Sequence, residues 1–190
     1  MKALPFALLV FSFFLFGCIS DKGFSDQDIK NPCSIVSADE IASVCGYPTL
    51  KSQDNYIDLR SAFMGIPFGN EVSGACEYLV TDNRSSMVAS TTYLPNSGIS
   101  GAEYKKELEK FNTQMDSGLE IEREGLGFGD SSYLILVNSG NSTEGIAVQV
   151  FDGASVISVV ISSQDGQNKC FEEEKAIGIA KLAFDNLKKK

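Results

Sequence analysis

The pattern of apolar and polar positions divides the chain into three parts. Nearly every residue from Ala3 to Phe16 is apolar, residues 19–32 are mostly polar, and the rest carries mixed helical and strand periodicities. A lysine, an apolar stretch and a small residue ahead of Cys18 are typical of a secretory signal peptide. The polar second part cannot bury enough apolar surface to fold. We therefore predict a signal peptide over residues 1–17, a flexible tether over residues 18–32 and one domain over residues 33–190.

Helical periodicity occurs in three segments of this domain. Ser37 and Glu40 have the spacing of a capping box, which predicts a helix that begins there and ends at Gly46. A second helix is predicted over residues 100–117, because apolar side chains recur there at helical spacing, namely Tyr104, Leu108, Phe111 and Met115. The third helix is predicted over residues 171–188, with an acidic first turn and an inward face of Ile177, Ala180, Phe184 and Leu187.

Strand periodicity and turn signals fill most of the remaining domain. Asp152-Gly153 is a strong hairpin signal, and glycine and proline interrupt residues 47–74, which we expect to form a long loop that can include a short strand. Helices at either end of a run of hairpin-connected strands predict an α+β fold, in which an antiparallel sheet is packed with helices. The predicted strands cover residues 75–82, 86–94, 119–124, 131–138, 145–152 and 154–163.

Two motifs in the middle of the domain resemble ligand sites at first sight. Glu120, Glu122 and Glu124 alternate along a predicted strand, so their side chains are expected to share one face. Carboxylates can bind calcium, but such a row is more often the solvated face of a strand, and we predict no metal site. The glycine-rich run 125–129 precedes a strand and not a helix, which favours a tight strand connection over a phosphate-binding loop.

The cysteines indicate an oxidising compartment. Setting Cys18 aside leaves an even number in an exported chain, which predicts two disulfides among Cys33, Cys45, Cys76 and Cys170. Four cysteines allow three pairings, and the residues themselves do not choose between them. The alternative is four free buried thiols.

The amino-acid composition argues against several classes of function. The formal net charge of −9 repels nucleic-acid phosphates, so we predict no nucleic-acid partner. The chain has no histidine, which removes the usual general base near neutral pH and the commonest zinc ligand. Paired carboxylates or a lysine base would be the remaining routes to hydrolysis, and no residue spacing supports them. We predict no catalytic residues and no cofactor.

Two glycosylation sequons fall in predicted turns. Asn83 and Asn141 are the acceptor residues in Asn-Arg-Ser and Asn-Ser-Thr. Chance alone gives about as many sequons in a chain of this asparagine, serine and threonine content, so both are candidate sites only.

The segment Leu15-Phe16-Gly17-Cys18 resembles a lipobox, in which the chain is cut before a cysteine that then carries a lipid. Leu15, Gly17 and Cys18 fit the pattern, whereas Phe16 stands where a small or β-branched residue is usual. The resemblance implies attachment through a lipid on Cys18 to the outer face of the cytoplasmic membrane. The alternative is an uncleaved anchor with an ordinary apolar cysteine, which would also place the domain outside.

Several segments of the domain resemble small cell-envelope lipoproteins whose single, uncharacterised domain has a PsbP-like fold. The resemblance implies an antiparallel sheet packed with helices and a Cys33–Cys76 bridge, which would leave Cys45 to pair with Cys170. It brings no catalytic residues, and relatives of this fold mostly bind or assemble with other proteins. The segments that carry it are residues 31–36, Cys76-Glu77-Tyr78, residues 125–133 and the terminal helix from Ala176 to Leu187.

The function that these features favour is a non-catalytic interaction or accessory module of the cell envelope. Its partners would be the membrane, through the lipid on Cys18, and an envelope protein. The alternative is a carrier of a lipid or other small apolar molecule held between sheet and helices, in a pocket lined by some of the 13 Phe and 6 Tyr. A carboxylate-dependent hydrolase ranks third.

Overall fold

Seven antiparallel strands form one sheet, on which the helices are packed. The computed structural model describes residues 32–58, 72–80, 86–95, 97–115, 118–153, 155–163 and 168–189. Across the sheet the strands have the order β1-β2-β3-β7-β6-β5-β4, and all neighbours are antiparallel. The predicted α+β fold with an antiparallel sheet is confirmed. The strands are β1 (Lys51–Asp58), β2 (Val72–Val80), β3 (Ser86–Leu94), β4 (Leu119–Glu124), β5 (Ser131–Ser139), β6 (Ser142–Asp152) and β7 (Ser155–Ser162).

Several predictions concern residues outside this described part. The signal peptide, Cys18, the tether up to residue 31 and the Asn83 sequon all lie there. Among the helices that the structure does describe, none is both long enough and apolar enough to cross a bilayer.

The first helix, α1 (Ala38–Cys45), begins and ends where the local sequence predicts. The Ser37 hydroxyl accepts a hydrogen bond from the Glu40 N–H at 3.3 Å, and the Glu40 carboxylate accepts one from the Ser37 N–H at 2.8 Å. Gly46 follows in the left-handed conformation with φ of 72°, which glycine adopts without a steric penalty.

The other two helices begin one and two residues later than predicted. α2 (Gly101–Met115) begins after a second capping box, because the Ser100 N–H donates to the Glu103 carboxylate at 2.8 Å and the Glu103 N–H donates to the Ser100 hydroxyl at 3.3 Å. α3 (Glu173–Lys188) ends the described chain.

Residues 51–58 form an eight-residue edge strand, which is longer than the short strand allowed for in the loop expected over residues 47–74; residues 59–71 of that segment lie outside the described part. Every residue of β1 pairs with β2, from Lys51 opposite Leu79 to Asp58 opposite Val72. The side chains at positions 51–54 are exposed, so this strand has no alternation of apolar and polar residues. Its pairing rests on the backbone of β2, which no local pattern reveals.

Helices cover both faces of the sheet, and each covered face has its own apolar core. On the α3 face, α1 and α3 pack against a cluster that includes Tyr78, Leu134 and Val148, all with no exposed surface. On the α2 face, Tyr104 and Leu108 of α2 pack in a smaller cluster with Tyr133 and Phe151. The Tyr104 and Phe151 rings lie 5.2 Å apart, centroid to centroid.

Two disulfides join segments that are far apart in the sequence. Cys33–Cys76 joins the short 3₁₀ turn Pro32–Ser34 to β2, and Cys45–Cys170 joins the end of α1 to the segment before α3. This is the pairing that the resemblance implies. The presence of two disulfides is confirmed, and it is typical of proteins that fold outside the cytoplasm.

Candidate functional site

An open groove of about 520 Å³ runs between α2 and β4 at one edge of the sheet. We call it the α2–β4 groove. Its most buried lining residues are apolar, since Leu108 is 1% exposed and Leu119 5% exposed, with Ile121 half-buried beside them. The remaining lining residues are Gly118 and five polar residues, namely Glu109, Asn112, Glu120, Glu124 and Asn138. The groove therefore combines an apolar base with an acidic rim.

β4 is the last strand of the sheet that the structure describes, so one of its edges faces the groove and not another strand. The Gly118 carbonyl accepts a hydrogen bond from the Asn138 N–H at 2.8 Å, which directs it towards β5. The Leu119 N–H donates instead to the Asn112 side-chain oxygen at 3.3 Å, on the α2 side. Peptide groups alternate along a strand, so Ile121 also presents its N–H and C=O to the open edge.

A β-bulge in β4 changes which way its glutamates point. The register shifts between Ile121 and Arg123, so Glu122 is the extra residue. Before the bulge, Glu120 lies opposite Leu136 on the α3 face, and after it Glu124 lies opposite Tyr133 on the α2 face. The expectation that all three glutamates share one face was wrong, because a one-residue slip reverses the alternation. All three are nevertheless exposed.

At one end of the groove, the side chain of Lys105 extends from α2 to β4. Its ammonium nitrogen lies 2.6 Å from the Glu124 carboxylate and 3.9 Å from that of Glu109. The hydrogen bond to Glu124 raises the pKa of Lys105, and the negative charges of Glu124 and Glu109 act in the same direction. A lysine side chain is therefore already bound by carboxylates of this groove.

The other end of the groove is held by amide hydrogen bonds. The Asn138 side-chain nitrogen donates to Glu120 at 3.3 Å, and its oxygen accepts from the Thr143 hydroxyl at 2.9 Å. Thr143 belongs to the second sequon, whose acceptor Asn141 is exposed between β5 and β6. A glycan on Asn141 would start close to this end of the groove.

The glycine-rich run is a strand connection, as predicted. Gly125, Gly127 and Gly129 all have positive φ, at 65°, 89° and 72°, and β5 follows them. The Ser132 hydroxyl accepts the Leu126 N–H at 2.8 Å, which closes the turn on itself.

Within the described residues, no group of three acidic or cysteine side chains is arranged to hold a metal ion. Glu173 and Glu174 of α3 are instead paired with Arg123, at 3.1 Å and 2.8 Å.

The space between the sheet and the end of α3 is small. A cavity of about 10 Å³ lies there, lined by Tyr93, Phe184, Leu187 and neighbouring residues. That is about the volume that one water molecule needs, so this gap offers no room for a lipid chain.

The sequence indicated the acidic residues of the groove but not the groove. Glu120 and Glu124 stood out as part of a charged strand, whereas no pattern in the sequence singled out Glu109 or Asn112. Only the packing of α2 beside β4 brings these residues together.

No protein-family model, no curated protein and no solved structure matches this chain.

Proposed function

We propose that this protein is a non-catalytic interaction module of the cell envelope, and that the α2–β4 groove is its contact site. In this proposal the signal peptide is removed and a lipid on Cys18 holds the domain at the outer face of the cytoplasmic membrane. The two disulfides support the extracytoplasmic part of it. A PsbP-like arrangement is part of the proposal, since an antiparallel sheet packed with helices is what that fold requires.

The open edge of β4 beside the groove is the observation that carries the proposed contact site. Strand edges are usually protected, because unpaired backbone groups attract other chains. The opposite edge strand, β1, carries exposed polar side chains along positions 51–54. β4 instead has an apolar-based groove next to its edge, which a partner can fill.

Site-specific cross-linking in intact cells tests this function. A photoreactive residue at position 109, which is exposed and lines the groove, should capture one recurrent envelope protein, and a Cys18→Ser substitution should weaken that capture by releasing the lipid anchor. Position 181 is a suitable control, because Lys181 is exposed on α3 away from the groove. Equal capture from both positions, or capture that is independent of Cys18, would contradict the proposal.

A further inference from the structure

The open edge of β4 has the geometry to receive an extended segment. Leu119 and Ile121 direct their backbone groups to this edge, and within the described part of the chain only the Leu119 N–H is bonded there, to Asn112. An incoming strand can therefore pair with both backbone groups of Ile121. Such strand addition is a common way for a sheet to bind a peptide.

The groove determines what side chains that segment would carry. Alternate residues of an added strand point to the same face, so every second side chain would enter the space beside Leu108 and Ile121. Long side chains with an apolar stem and a charged end suit an apolar base under an acidic rim. The rim carboxylates on the α2 side belong to Glu109 and Glu124, both of which contact Lys105.

Lys105 shows that these carboxylates accept a cation of this kind. Its ammonium group lies 2.6 Å from Glu124 and 3.9 Å from Glu109, after its stem has crossed from α2. A lysine or arginine of the incoming segment would reproduce or replace that contact.

Charge also argues against a second copy of this chain at the same edge. Pairing β4 with another β4 would bring Glu120, Glu122 and Glu124 close to their own copies, and like charges opposite each other destabilise a sheet. The net charge of −9 acts in the same direction over the whole surface.

We propose that the α2–β4 groove binds an extended, lysine- or arginine-bearing segment of a partner protein, which adds to the open edge of β4. This inference rests on the proposed function and names the chemistry of the partner at the same site.

Calorimetric titration with a synthetic probe tests the charge requirement. The probe is a short peptide in which lysine alternates with valine, and the protein is the purified chain in mild detergent. We expect saturable one-to-one binding that weakens about 5-fold in the Glu109→Gln/Glu124→Gln variant, since each exposed ion pair contributes little. The control is Glu107→Gln/Glu172→Gln, which removes the same charge from two paired residues outside the groove. Equal weakening in both variants would overturn the proposed site.

Removing Lys105 should have the opposite effect. A Lys105→Met variant frees Glu124 and Glu109 from their internal partner, so we expect the probe to bind about 3-fold more tightly. Lys106→Met is the matched control, because Lys106 is an exposed neighbour on α2 and its loss changes the net charge equally. Equal gains in the two variants would show that only overall charge matters. Circular dichroism would check that each variant is folded.

The backbone part of the proposal needs its own probe. A peptide with the same side chains but alternate N-methylated amides cannot form the strand hydrogen bonds, and we expect it to bind at least 10-fold more weakly. Equal binding by the methylated peptide or by free spermidine, or self-association of the chain in sedimentation, would overturn strand addition. Failure of the peptide with successful cross-linking from position 109 would reject this inference but leave the proposed function standing.

Discussion

Tyr78 is a buried hydrogen-bond donor at the centre of the larger core. Its hydroxyl donates to the Val36 carbonyl at 2.9 Å and lies 3.2 Å from the Thr91 hydroxyl. Burial raises the pKa of Tyr78 to about 12, and the negative charges of Glu40 and Asp54 add to this, although the hydrogen bond to Thr91 opposes it. The phenol therefore stays neutral in the folded protein at pH values where an exposed tyrosine ionises.

This shift makes stability fall at alkaline pH. The folded pKa is above the unfolded value of 10.0, so the stabilisation is complete below pH 10 and is lost as pH rises towards 12. We expect Tyr78 to account for about 2–3 kcal/mol of the decrease in the free energy of unfolding in urea over that window, in addition to the contribution of Tyr104, whose pKa burial also raises.

Tyr78→Phe is the control for this effect. It should cost about 1–2 kcal/mol at neutral pH, because the Val36 carbonyl loses its donor, and it should flatten the alkaline decrease. An unchanged alkaline slope in this variant would assign the pH dependence to other groups.

Gln149 is a buried amide with only part of its hydrogen-bonding capacity used. It is 2% exposed, its nitrogen donates to the Ser158 hydroxyl at 2.9 Å, and its side-chain oxygen has no partner among the residues that the structure describes. Ser158 is itself 1% exposed, so neither residue can turn to solvent.

Removing one partner of the Gln149–Ser158 hydrogen bond should therefore destabilise the fold more than removing both. We expect Ser158→Ala to cost about 1–2 kcal/mol, because it leaves the whole amide unpaired, and Gln149→Leu/Ser158→Ala to cost less than that single change. Urea unfolding of the two single variants and the double variant forms a complete cycle. Additive losses would show that the two side chains are not coupled.

At the scale of the element, the β4–β5 connection depends on where its glycines lie. Gly127 has φ of 89° with open space around the position of a Cβ, whereas a Cβ at Gly129 would lie 2.6 Å from the Phe151 carbonyl and 2.7 Å from Val150. Gly129 thus meets both a conformational and a steric requirement.

Alanine substitutions separate the two requirements. Gly127→Ala should cost about 1–2 kcal/mol, which is the penalty of the left-handed conformation alone. Gly129→Ala should cost about 2–4 kcal/mol, because the steric overlap with β6 is added. Thermal unfolding compares them directly, and equal losses would contradict the close approach to Phe151.

Local sequence rules predicted where the helices begin and end better than they predicted which segments pair as strands of the sheet. Ser37, Glu40 and Gly46 define α1 because capping involves residues three or four apart. The extent of β1 was not predicted, because the residues that pair with β2 at positions 51–54 are exposed and polar. The α2–β4 groove was not predicted, because it forms between a helix and a strand edge. The bulge at Glu122 could not be read from alternating glutamates, since the same pattern fits an uninterrupted strand.

At the scale of the whole molecule, the disulfides close loops of very different length. Cys33–Cys76 spans 43 residues and Cys45–Cys170 spans 125. In the chain-entropy description, a longer closed loop restricts the unfolded chain more.

Both bridges should therefore stabilise the fold substantially, the longer one more. We expect loss of about 4 kcal/mol for Cys33→Ala/Cys76→Ala and about 5 kcal/mol for Cys45→Ala/Cys170→Ala. Denaturant unfolding of each paired variant measures this, with the other bridge intact. A smaller loss for the longer loop would contradict the entropic account.

Four features of this protein follow from the amino-acid sequence alone, because each depends on residues close together in sequence or on composition. They are the helix caps, the apolar stripes of the helices, the Asp152-Gly153 hairpin and the α+β class. The strand order, with β7 between β3 and β6, the disulfide partners, the direction of Glu120 and Glu124 and the α2–β4 groove exist only in the folded molecule. They depend on contacts between residues far apart in the chain, and local propensity carries no information about which distant surfaces will meet.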